Sequence, residues 1–107
     1  MRRAAAAVAP MTEGESFTEL RIDTLADSRL TVISPLRVEV HRDAEGVTVH
    51  DPESEVFGYG ASEAEALEDF REAIGELFLT LDSDRNALGP ALQDTLRILE
   101  TRIRKTA

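Results

Sequence analysis

A chain of 107 residues with 42% hydrophobic side chains can build one small core but not two. It contains no cysteine, which excludes a disulfide framework, a zinc-thiolate site and a cysteine nucleophile, and makes a reducing cytoplasm the expected location. The net charge of −9 is concentrated in residues 51–86, where eleven acidic groups meet only Arg71 and Arg85; such a segment repels phosphate backbones, so direct nucleic-acid binding is not expected, and it suits a basic partner.

The opening stretch, MRRAAAAVAP, imitates a secretory signal, but its apolar run is short and lacks Leu, Ile and Phe. A flexible tail is expected over residues 1–14, with Met11 as an alternative start to Met1, followed by a single domain over 15–107. No later stretch has the length needed to cross a bilayer, so no membrane association is expected. Residues 17–22 and 29–33 read as short strands, after which Pro35 marks an edge or a bulge. In LRVEVHR, Leu36, Val38 and Val40 alternate with Arg37, Glu39 and His41, the period of a half-buried strand. DAEG supplies a turn and VTVHD resumes the alternation, which makes a hairpin. PES then turns into VFGYG, a third strand on which Phe57 and Tyr59 share a face.

Ser62 is an N-cap with Glu65 three residues on, the two partners of a capping box. Leu67, Phe70, Ile74, Leu77, Phe78 and Leu81 recur at helical spacing and form the apolar stripe of a long helix ending near Leu81, with Leu79 off that stripe. Glu65, Asp69, Glu72 and Glu76 form an acidic stripe on the opposite side, read either as a solvated face or as the surface for a basic partner. DSDRN leads into a C-terminal helix expected over 88–105. Pro90 lies in its first turn, Leu92, Leu96, Leu99 and Ile103 make its buried line, and Arg102, Arg104 and Lys105 complement its dipole. The fold class is therefore α+β: an antiparallel sheet of three or more strands, one long helix packed on it and a second, C-terminal helix. Residues 36–82 are expected to form the central segment of the domain, and an unpaired sheet edge near Pro35 together with Leu79 points to a homo-oligomer, at least a dimer.

Four groups of residues invite a chemical reading. The Gly-x-Gly of VFGYG sits where dinucleotide-binding folds grip a pyrophosphate, but Glu63 stands in place of the third glycine, and Glu63 and Glu65 put negative charge where a phosphate would lie. No cofactor is expected; Gly60 is assigned a positive φ and Gly58 a close approach of neighbouring atoms. Asp82, Asp84 and Asn86 start like a calcium loop, but Ala87 and Gln93 occupy its glycine and glutamate positions, so this is read as a helix end. Glu39, His41 and His50 have the composition of a two-His-one-carboxylate metal site if the hairpin register brings them together, against the simpler reading of a polar sheet face. Asp43, Asp51 and Glu55 are candidates for a carboxylate-rich nuclease site, against surface solvation. No metal and no catalytic residue is expected.

The hairpin, the third strand ending in Gly-x-Gly and the capped helix ASEAEALEDFREAIGEL resemble the HicB-like antitoxin domain over residues 36–82. Gly60, Ala61, Ser62, Glu65 and Ala66 stand at the matching positions of its helix start, and Ala73 with Ile74 fits a later Glu-Ala-Ile. The chain departs from that pattern in DPESE, which lacks the second proline and the glycine found before the third strand, and in having no appended DNA-binding domain. The resemblance implies a reduced ribonuclease-H-like fold and a non-catalytic protein. Such a protein oligomerises and occludes a small, basic RNA-cleaving toxin. The alternative is a small oligomeric structural or regulatory domain with no toxin, and an enzyme built on the carboxylates is a third reading.

Overall fold

Leu36, Val38 and Val40 are fully buried while Arg37 and His41 face solvent, as the alternation of LRVEVHR requires. The computed structural model describes residues 16–107, so the tail over 1–14 and the choice between Met1 and Met11 lie outside the described residues. In chain order the elements are β1 (Ser16–Ile22), β2 (Leu30–Val32), β3 (Leu36–Asp43), β4 (Gly46–Asp51), β5 (Val56–Gly60), α1 (Glu63–Ser83), α2 (Pro90–Glu100) and β6 (Ile103–Lys105). The architecture is α+β: a four-stranded antiparallel sheet in the order β1-β3-β4-β5, α1 packed on it and α2 as a second helix towards the C-terminus. β2 and β6 form a separate antiparallel pair.

The β3–β4 hairpin closes on Asp43, whose Oδ1 accepts from the amides of Glu45 (2.8 Å) and Gly46 (3.2 Å). An aspartate that bonds the backbone two residues on is a built-in turn former, and Gly46 takes a φ of 143° there. The resulting register sets Val49 against Val40 and against Gly58, so one face of the sheet is apolar. α1 covers that face with Ala66, Phe70, Ile74, Phe78 and Leu81, all buried. Each large member contributes about 1.5–3 kcal/mol by leaving water. Leu67, Leu77 and Leu79 are partly buried against the same core, so Leu79 has a partner within the chain.

Three expectations give way here. Pro35 does not mark an open edge: it leads into β3, which lies between β1 and β4, and the Ile33 and Ser34 amides beside it donate to the Arg102 carbonyl. The C-terminal helix does not reach residue 105. It ends at Glu100, Arg102 turns back towards β4, and Ile103–Lys105 pairs with β2 instead. Burial decides this, because Ile103 (1% exposed) reaches the core from the strand. Leu92, expected in the buried line of α2, is 47% exposed; Leu96 and Leu99 alone carry the helix into the core.

Candidate functional site

Gly58 and Gly60 are answered by the helix that crosses them. A Cβ on Gly58 would lie 2.4 Å from the Phe70 amide nitrogen and 2.6 Å from the Ala66 carbonyl oxygen. One on Gly60 would lie 2.6 Å from the Ala66 amide nitrogen. The Gly-x-Gly therefore lets the α1 backbone rest directly on β5. The close approach expected at Gly58 is present, but Gly60 has no positive φ; it is confined by the same contact instead. Ser62 caps α1 by accepting from the Glu65 amide at 3.2 Å.

The acidic stripe divides by task. Glu65 accepts from the Ala61 amide at 2.9 Å, closing the capping box one residue earlier than the standard pattern. Asp69 accepts from the Tyr59 amide, also at 2.9 Å. These two carboxylates bind the helix to outward-pointing amides at the sheet edge. Glu72 and Glu76 remain exposed with no hydrogen bond or ion pair among the described residues, and so does Glu68, which sequence reading passed over. Its signal was available: 68, 72 and 76 are spaced four apart on one helical line.

The face of the sheet away from α1 carries the polar alternates. Glu39 lies opposite His50 in the ladder, as the hairpin register predicted. Its Oε1 lies 3.4 Å from His41 Nε2 and 3.8 Å from His50 Nδ1, while His50 Nε2 lies 3.3 Å from Glu55. The two shorter contacts are hydrogen bonds, and no group of His, Asp or Glu among the described residues is arranged to hold a metal ion. The His50 ring stacks on Phe57 with centroids 4.3 Å apart, and Phe57 stacks on Tyr59 at 6.2 Å. Phe57 (40%) and Tyr59 (62%) are exposed, so the third strand turns its aromatics outward and its glycines inward.

Asp43, Asp51 and Glu55 are not brought together as a nuclease site would need. Asp43 sits at the hairpin turn and Asp51 at the far end of β4, about five residues or roughly 16 Å along the strand. Asp51 is instead fully buried and paired with Arg102, itself 7% exposed. The guanidinium donates to Asp51 Oδ2 at 2.7 Å and Oδ1 at 3.3 Å, and Ser54 Oγ and the Glu53 amide complete the carboxylate's shell. Burial alone would raise the Asp51 carboxyl, but the Arg102, Ser54 and Glu53 contacts outweigh it and hold it below its ordinary value.

Asp82 is likewise committed, to Lys105 at 2.8 Å and Arg85 at 2.5 Å, and both lower its carboxyl. The apparent calcium loop is thus a junction between the end of α1 and β6, with Asp84 as the helix C-cap. Arg102 and Lys105, expected at a helix terminus, serve these two ion pairs.

No protein-family model matches the chain, and no curated protein or solved structure matches it. No helix among the described residues is long and apolar enough to cross a membrane.

Proposed function

We propose that the protein is a non-catalytic, HicB-like partner-binding protein that assembles as a homo-oligomer and occludes a small, basic RNA-cleaving protein, as an antitoxin does. The observation that carries this reading is the line of Glu68, Glu72 and Glu76. Like charges four residues apart on a helix each cost a few tenths of a kcal/mol, about 0.2–0.5. For Glu65 and Asp69 the Ala61 and Tyr59 amides offset that cost. For Glu68, Glu72 and Glu76 nothing among the described residues does, and a basic surface laid along the helix would. The hairpin, third strand and helix of residues 36–83 support the reading as the unit that the resemblance implies.

The alternative, an oligomeric structural or regulatory domain with no toxin, is favoured by the use of half the expected stripe inside the fold. One experiment separates the two. The wild-type chain and a Glu72→Lys/Glu76→Lys variant are used as baits in the native host. A small basic protein that wild type retains, that the variant releases, and whose ribonuclease activity wild type suppresses is the expected result. Retention of that protein by both baits would show that it binds elsewhere, and its absence from both would favour the alternative.

A further inference from the structure

Glu19 and Arg21, on the outer face of β1, stand across the ladder from residues of their own sign: Glu19 faces Glu39, and Arg21 faces Arg37. Like charges directly opposite one another destabilise a sheet. Glu39 is already hydrogen-bonded to His41. Among the described residues Glu19 has no ion pair, and Arg21 reaches only Asp23, at 4.0 Å. Among the described residues, therefore, Glu19 has no partner of opposite charge and Arg21 only a distant one. They also lie on the sheet edge that is open among the described residues. β1 pairs with β3 on one side and with no described residue on the other, whereas Asp69 and Glu65 occupy outward amides at the β5 edge.

We infer that two copies of this chain join through antiparallel pairing of their β1 strands, with Leu20 of each copy at the two-fold axis. In that register Glu19 lies opposite Arg21 of the second copy, and Arg21 opposite its Glu19, so two complementary pairs form where the ladder within each copy sets like charges directly opposite one another. Thr18 lies opposite Ile22. Centring the pairing on Glu19 would set that carboxylate against itself, and centring on Arg21 would do the same for the guanidinium. Directly opposite residues of antiparallel strands point to the same face, so both copies keep α1 on one side and their sheets run on as one. The inference rests on the homo-oligomer reading above and assigns it a surface, a register and a partner.

Sedimentation equilibrium of wild type, Glu19→Arg, Arg21→Glu and the double variant tests it. Glu19 and Arg21 are exposed, so all four proteins are expected to fold. Each single change sets like charges opposite one another twice across the seam and is expected to raise the dimer dissociation constant about tenfold or more at low salt. The double variant restores the complement and is expected to return to within about threefold of wild type. Leu20→Cys supplies the chain's sole cysteine, and opposite Cα atoms in such a pair lie about 4.5–5.5 Å apart, close enough for a disulfide-linked dimer on mild oxidation. A wild-type dimer that is indifferent to both single changes, and whose Leu20→Cys variant stays unlinked, associates through another surface; this overturns the inference and leaves the homo-oligomer reading standing. A wild type that remains monomeric at high micromolar concentration overturns both.

Discussion

At Gly58 a single methyl group would occupy space already held by backbone. The crowding atoms are backbone atoms of Phe70 and Ala66 in α1, so they cannot retreat as a flexible side chain would. Gly58→Ala is expected to destabilise the protein by at least about 1–3 kcal/mol, the range of overpacked cores, measured as a lower urea midpoint. Gly89→Ala meets nothing within 4 Å and serves as the control, costing under about 1 kcal/mol. The need for small residues at 58 and 60 was legible in the sequence; the reason at Gly60 was not, because a positive φ and a crowded Cβ both select glycine. Asp51 was hidden differently. Its partner lies 51 positions away, so no local pattern could report it. Removing Arg102 would leave a buried carboxylate unpaired, at a cost of about 3–5 kcal/mol. Because the folded Asp51 and Asp82 carboxyls lie below their ordinary value of 3.8, the unfolded chain takes up protons first as the pH falls. Their stabilisation is complete above that value and is lost as the pH drops through the folded-state values. Denaturant midpoints are expected to fall below about pH 4, and Asp51→Asn should start from lower stability at neutral pH and show a shallower acid decline.

The elements with a strong period were the readable ones. α1 combines a capped start with an apolar stripe, and each signal points to the same boundaries, so the helix was placed to within two residues at its C-terminal end. Phe70, fully buried at the centre of that stripe and in contact distance of β5, is expected to cost about 3–5 kcal/mol on substitution by alanine, read by thermal or urea unfolding. The β3–β4 hairpin was equally clear because Asp43 and Gly46 fix the turn and the turn fixes the register. β6 was not. Three residues after a helix, two of them basic, look like a last turn, and only Ile103 betrays a strand by entering the core. Its pairing partner β2 was itself recognised, but a strand cannot reveal from its own sequence that its neighbour arrives from the far end of the chain. The acidic stripe shows the same limit from the other side: the spacing of Glu65, Asp69, Glu72 and Glu76 was visible, while the commitment of Asp69 to β5 and of Glu65 to the turn after it required knowing where the helix lies.

For the molecule as a whole, charge is sorted by position. The C-terminal stretch supplies Arg102 and Lys105 to carboxylates of the acidic middle, so part of the −9 of residues 51–86 is neutralised within the fold's own ion pairs, and the remainder is shared between α1 and the exposed Glu53 and Glu55 of the β4–β5 turn. The Asp69 bond to the Tyr59 amide has a consequence for colloidal behaviour. VFGY is a short, uncharged segment of strand-forming character, with Phe57 and Tyr59 already facing water. While Asp69 holds the Tyr59 amide, a passing chain finds that donor taken and a negative charge beside it. Asp69→Ala would remove both without opening a cavity in the core, because the residue is exposed. The variant is therefore expected to lose about 1 kcal/mol or less in a dilute urea titration, yet to gain thioflavin-positive, time-dependent light scattering when concentrated, and Asp69→Asn, whose side-chain oxygen still accepts, should fall between it and wild type. One carboxylate in this position guards solubility more than it sets stability.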